Sequence, residues 1–312
     1  MHYEENMKKD LISMEDLTLE EIKSYLSEAK EVEETPLQDR VRLLPGKILA
    51  TLFFEPSTRT RLSFEAAMHR LGGSVIGFAE QGATSVSKGE SFTDTIHTVE
   101  NYCDIMVIRH PGEGTARLAA NESILPIINA GDGSNQHPTQ TLLDLYTIEK
   151  YLGKITGIKI AFVGDLKYSR TVHSLINALM KFSVTDFTLV APEALKLPKY
   201  FMRTDQPGKF KFKETESLEE AIPECDILYM TRIQRERFPD LVEYEKVKDS
   251  YILTSDMLKQ ARPHLKVLHP LPRVNEIAYN VDKTDFAGYF PQARNGVIMR
   301  QAIILKHLGV TL

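Results

Sequence analysis

The chain has 312 residues, of which 42% are hydrophobic and 26% charged, with Gly 17 and Pro 15, a balance that excludes disordered, fibrous and collagen-like classes. Its length exceeds what one core comfortably supports and predicts two domains. A formal net charge of -5 and a pI near 6.0 exclude general nucleic-acid binding, so any anionic substrate must be met by locally clustered cations.

The opening stretch, MHYEENMKKDLISMEDL, is polar and acidic and lacks the apolar run of a signal peptide. No later segment holds 18 consecutive apolar residues, so no membrane partner is expected and a cytoplasmic location is inferred. The first clear element starts at the capping box Thr18-Leu19-Glu20-Glu21, followed by Ile22, Tyr25, Leu26 and Ala29 at helical spacing. Strand-like apolar runs then follow at Ile48 to Phe54, Val75 to Phe78, Ile105 to Ile108 and Leu125 to Ile128, with helices expected between them. Cys103 and Cys225 each stand beside an Asp before an apolar run and read as buried free thiols; neither a disulfide nor a zinc site is indicated.

A helix is predicted from Pro138 to Leu152, with Pro in its first turn and Gly153 at its end. Beyond it the alternation restarts at Ile160 to Val163, Phe187 to Val190, Ile227 to Met230 and Val267-Leu268, and the stretch Gln292 to Leu308 has helical periodicity. The expectation is an α/β protein of two doubly wound parallel-sheet domains with the active site in the cleft between them. Residues 1–150 would form one domain, with a C-terminal helix at 292–312 packing back on it, and 151–291 the other. In such sheets ligands bind beyond the carboxyl ends of strands.

Residues able to handle anions follow those strands. Ser57-Thr58-Arg59-Thr60-Arg61 opens a helix after the first run, offering backbone N–H groups, hydroxyls and a cationic fork to a phosphate. It has neither the glycine spacing nor the lysine of a nucleotide P-loop, and alone it would equally be an ordinary Ser N-cap. Arg109 leaves the third run, and Gly131 to Gln140 carries His137 into the Pro138 helix. At a helix start a cationic imidazole is disfavoured, so His137 reads better as a neutral donor than as a base. Arg170 and Arg232 lie after strands of the second half; each, taken alone, could be a solvated charge.

Taken together, Ser57-Thr58-Arg59-Thr60, His137-Pro138-Thr139-Gln140, Asp165 to Thr171, Thr231-Arg232-Ile233-Gln234 and His269-Pro270-Leu271-Pro272 resemble the motifs of the aspartate/ornithine carbamoyltransferase family, in the family's order. The resemblance runs from Glu55 to Arg300. It implies transfer of a carbamoyl group from carbamoyl phosphate to an amino acid, without metal or other cofactor. By that likeness Ser57, Thr58, Arg59, Thr60, Ser85, Arg109, His137, Gln140, Pro270 and Leu271 would bind carbamoyl phosphate. Lys88, Arg170, Arg232, Gln234 and Leu271 would bind the amino acid. Arg59, Thr60, Lys88, Arg109 and His137 would carry the catalysis, and Glu55 would pair with Arg170 and Arg237 on domain closure.

Pro270 stands where ornithine-specific members place a Cys, and no Ser-Met-Gly occurs anywhere, so the expected acceptor is L-aspartate. Ser85 and Lys88 lie in a loop resembling one that enters a neighbouring subunit's site, which implies a homotrimer with shared active sites. A regulatory chain and a larger assembly stay open. The rival readings are an ornithine-directed member, a non-catalytic phosphate- or nucleotide-binding α/β protein, and a scaffold that has lost activity. Gly164-Asp165-Leu166-Lys167 lacks the spacing of a dinucleotide fingerprint.

Overall fold

The computed structural model describes residues 10–79, 89–202, 210–233, 235, 238 and 240–312. The chain divides into two compact units, one of residues 1–142 with 296–312 and the other of 143–295. The changeover at Leu142 falls inside a helix, and each unit has its own sheet.

In the first unit, helix α1 (Leu19–Glu34) begins at a Thr18 N-cap, with Thr18 and Glu21 satisfying each other's backbone N–H groups as the capping-box sequence predicts. The short helix α2 (Leu37–Arg40) leads to strand β1 (Ile48–Phe53), then α3 (Thr58–Arg70), β2 (Ser74–Phe78), α4 (Phe92–Val99), β3 (Ile105–His110), α5 (Thr115–Glu122) and β4 (Ile127–Asp132). The four strands are parallel in the order β2-β1-β3-β4. β1 and β3 are nearly continuous apolar runs because both faces are covered; Ala50, Leu52, Met106, Ile108 and Ile127 pack with Ile96, Ala116 and Ala119 on one of them. The polar opening of the sequence conceals one contribution. Leu11 pairs in parallel with Ile128 through two backbone hydrogen bonds of 2.9 and 2.8 Å, and it is fully buried.

Helix α6 (Pro138–Leu152) leads into the second unit, whose elements are β5 (Lys159–Val163), α7 (Arg170–Lys181), β6 (Asp186–Val190), β7 (Lys211–Thr215), α8 (Leu218–Ala221), β8 (Ile227–Met230), α9 (Leu241–Val247) and β9 (Lys266–Leu268). Its parallel strands run β7-β6-β5-β8-β9. Val163, Val190, Leu228, Met230 and Val267 form a core with Leu253, Leu258 and Tyr289. The last helix, α10 (Tyr289–His307), starts in this unit and ends in the first. There Gln301 accepts from the Arg40 guanidinium at 3.1 Å, and His307 Nε2 lies 2.9 Å from the Tyr25 hydroxyl. Among the described residues no helix is long and apolar enough to cross a membrane.

The strand orders fix where ligands can bind. In the first unit the chain turns one way from β1 to β2 and then the other way to β3 and β4; in the second, β5 to β7 run one way and β8 and β9 the other. Each sheet therefore has a switch point, between β1 and β3 and between β5 and β8, where the departing loops splay apart and leave a crevice at the strands' carboxyl ends.

Candidate active site

At the first switch point, β1 runs out through Phe54, Glu55 and Pro56 into α3. Ser57 is the N-cap residue, and its hydroxyl makes no capping bond; its carbonyl receives the Arg61 N–H at 3.1 Å. The helix thus presents first-turn amides with their positive end outward, beside an uncommitted hydroxyl and the exposed Thr58 and Arg59. Thr60, one turn in, is buried. Across the switch point Arg109 pairs in register with Phe53. Its guanidinium donates to the Ala130 carbonyl at 3.1 Å and lies 3.0 Å from a Glu55 carboxylate oxygen. That fork is fixed by β4 on one side and by the β1–α3 loop on the other.

The β4–α6 loop is held by an acid that the motif reading passed over. Asp132, 1% exposed, accepts from Asn129 Nδ2 (2.9 Å) and the Gln136 N–H (3.1 Å) on one oxygen, and from the Gly114 N–H (2.9 Å) and Asn135 Nδ2 (3.1 Å) on the other. Four donors make it a rigid post around which residues 132–136 wrap. His137 follows, buried, with the Gln140 N–H donating to its carbonyl at 3.0 Å and the Thr139 hydroxyl 3.4 Å from Nδ1. Gln140 is buried on the same first turn. Ser57 to Thr60, Arg109 and His137 to Gln140, the groups expected from the sequence to meet carbamoyl phosphate, therefore follow three strands of one unit and lie at one end of its sheet.

The second switch point is built alike. Thr231 leaves β8 by donating its N–H and its hydroxyl to the Val163 carbonyl at 2.8 and 3.1 Å, and its hydroxyl also receives the Asp165 N–H at 3.1 Å. Gly164 is indispensable there: at φ +114° a Cβ would lie 2.3 Å from the Thr231 carbonyl oxygen. This close stitching sets Arg232, just past β8, and Arg170, the first residue of α7, on adjacent strand exits; both are partly exposed. Buried Asp165 receives the Tyr168 N–H at 2.9 Å and shapes the turn before Arg170.

Pro270 and Leu271, also partly exposed, form the turn after β9. Glu55 is paired with Arg109 within the first unit, while Arg170 belongs to the second. Ser85, Lys88, Gln234 and Arg237 lie outside the described residues.

Residues 9–150 match the family model described as aspartate/ornithine carbamoyltransferase, carbamoyl-P binding domain, and residues 156–306 match the one described as the Asp/Orn binding domain. The chain belongs to the aspartate/ornithine carbamoyltransferase family. Within it, the chain is 58% identical over 304 residues, 97% of each chain, to the aspartate carbamoyltransferase catalytic subunit of Thermococcus kodakarensis. It is 54% identical, with a TM-score of 0.89 and coverage of 97% and 98%, to the solved catalytic subunit of M. jannaschii aspartate transcarbamoylase. It is also similar, at 38% identity, TM-score 0.88 and coverage of 98% and 97%, to the Trypanosoma cruzi aspartate transcarbamoylase solved with carbamoyl phosphate and aspartate.

Proposed function

We propose that the chain transfers the carbamoyl group of carbamoyl phosphate to the amine of L-aspartate, giving N-carbamoyl-L-aspartate and phosphate, a step of pyrimidine biosynthesis carried out in the cytoplasm. The observation that carries this is the pairing of cation clusters with switch points in a net acidic protein: Arg59 and Arg109 at β1/β3, Arg170 and Arg232 at β5/β8. A phosphate dianion and a dicarboxylate require two such clusters.

In this reading the α3 N-terminus, Ser57, Thr58 and Arg59 hold the phosphate, and Gln140, Pro270 and Leu271 address the carbamoyl end. Arg170, Arg232 and Gln234 grip the carboxylates of aspartate, and Leu271 contacts it as well. The unprotonated amine attacks the carbamoyl carbon. Thr60, Arg109 and His137 stabilise the oxyanion of the tetrahedral intermediate; the C–O bond to phosphate then breaks, and the departing phosphate takes the amine proton. Positioning and charge stabilisation suffice, without a covalent intermediate. By resemblance alone, Ser85 and Lys88 serve a neighbouring copy's site, which makes a homotrimer the smallest complete enzyme.

Purified chain incubated with carbamoyl phosphate and either L-aspartate or L-ornithine should form carbamoylated product with aspartate only. Arg59→Ala should lower kcat/KM by an amount equivalent to about 3 kcal/mol of transition-state stabilisation. Product with ornithine, or a near-normal Arg59→Ala rate, would overturn the assignment.

A further inference from the structure

A continuous buried polar chain in the second unit lies outside the residues that the reaction above employs. Tyr229 on β8 donates its hydroxyl to Asp144 Oδ2 at 2.7 Å, and Gln292 Nε2 donates to Asp144 Oδ1 at 2.6 Å. The Gln292 side-chain oxygen, Oε1, accepts the backbone N–H of His269 at 2.8 Å. His269 Nδ1 in turn accepts the Leu271 N–H at 2.7 Å, and Nε2 lies 2.6 Å from Glu276 Oε1. Glu276 Oε2 receives the N–H groups of Val274 and Asn275 at 3.0 and 3.1 Å. Asp144 is fully buried, and Gln292, His269 and Glu276 are nearly so. Because Nδ1 accepts, the imidazole proton sits on Nε2 and points at a carboxylate. Burial, reinforced by the positive charges of Arg232 and Arg273, lowers the His269 pKa and keeps the ring neutral, against the opposing pull of Glu276.

The chain ends at a backbone that needs holding. Leu271 has φ +54°, in the left-handed region that a leucine occupies only when its surroundings impose it. On the far side of the turn Arg273 is fixed by an ion pair to Asp282 and by the Tyr289 hydroxyl at 3.1 Å. Both flanks of residues 270–272 are thus anchored, the first through Gln292 of α10 and Asp144 of α6 to Tyr229 of β8, the second to Asp282 and to Tyr289 at the start of α10.

We propose that His269, braced by Gln292 and Asp144 on one side and Glu276 on the other, is a positioning residue that holds Leu271 in its left-handed conformation and so sets the aspartate-facing wall of the site. The proposal rests on the function proposed above, with Leu271 as an aspartate contact. Its consequence is a defect weighted toward aspartate, because carbamoyl phosphate, although its carbamoyl end also meets Leu271, is held chiefly through its phosphate by the α3 N-terminus.

His269→Leu and His269→Asn separate positioning from packing. Leucine fills the space but cannot accept the Leu271 N–H, whereas the asparagine carbonyl oxygen can stand where Nδ1 stood. His269→Leu should raise the KM for aspartate about 10- to 100-fold, with the Kd for carbamoyl phosphate held within about threefold. His269→Asn should recover most of that loss. If His269→Leu does not fold, Glu276→Gln decides by the same comparison: its amide can turn an N–H toward Nε2, moving the ring proton to Nδ1. That change is read by 15N NMR of the imidazole and should accompany a raised aspartate KM. Equal losses in the Leu and Asn variants, parallel weakening of both substrates, or an unchanged aspartate KM in folded variants would overturn the proposal alone. A wild-type chain that does not carbamoylate aspartate would overturn the function as well.

Discussion

Arg109 shows how one side chain is fixed for use. Its strand neighbour is Phe53, its guanidinium is bound to the Ala130 carbonyl and set beside Glu55, and its fork loses little freedom on meeting an anion. The two thiols show the opposite design. Cys225 is 1% exposed in the core of the second unit, and burial pushes its thiol up to about 12. Cys103, half-buried and donating to the Val99 carbonyl at 3.4 Å, is raised mainly by burial to about 11. Only the thiolate attacks, and a raised pKa removes it at neutral pH. Native protein at pH 8 should therefore react with Ellman's reagent at neither thiol on the timescale of free cysteine, and at both once unfolded in guanidinium. Rapid titration of either thiol in the native state would contradict this burial.

At the scale of elements, what the sequence discloses depends on where a strand lies in its sheet. β1, β3, β5 and β8 are interior strands, so each reads as a nearly continuous apolar run, broken within β1 by the buried Thr51. β7 is an edge strand, Lys-Phe-Lys-Glu-Thr, whose Phe212 stacks on Phe187 at 5.2 Å, and the sequence analysis gave it no strand. β4 continues through Asn129 to Asp132, past the end of its apolar run at Ile128. The motif residues were legible because their order follows the strand exits. Asp144 and Gln292 were not, since they pair 148 positions apart; the single hint was an acid amid Leu142, Leu143, Leu145 and Tyr146. Asn129 was equally hidden. Its Nδ2 donates to the Ile12 carbonyl and to Asp132, both at 2.9 Å, and its Oδ1 accepts the Gly131 N–H at 2.8 Å, so it ties the N-terminal segment to the loop before His137. Asn129→Ala would leave a buried carbonyl and a buried N–H without these partners. It should cost about 2–3 kcal/mol in denaturant unfolding, where a loss near 0.5 kcal/mol would mean that the loop is held from elsewhere.

For the whole molecule, stability against acid follows from groups spread over both units. Asp104 beside Lys47 and the Ile48 N–H, Asp226 beside His264, Arg262 and the Lys159 N–H, and Asp282 beside Arg273 are all held below the usual carboxylate range. So is Glu276; in all four burial works the other way, and at Glu276 the bonds to His269 and to backbone N–H groups prevail over it. Each contributes stability that is complete above its unfolded pKa near 4 and is lost as pH falls through the lower folded value. Burial lowers the pKa of His110, His173 and His269. His110 packs against Phe54 and Phe92 and faces Glu55 and Asp132, while His173 stacks on Phe201 with its ring against the Leu166 carbonyl. For these the unfolded chain takes up protons first, so stability begins to fall as pH drops through about 6.5. Both sets have the same sign: between neutrality and strong acid the unfolded state binds more protons than the folded one. The thermal midpoint followed by calorimetry should therefore decline gradually from pH 7 to 5 and more steeply below about 4, where the carboxylates join and net positive charge accumulates. A midpoint that stays flat or rises from pH 7 to 5 would show that the buried imidazoles are not kept neutral, and with that the tautomer assigned to His269 would fall.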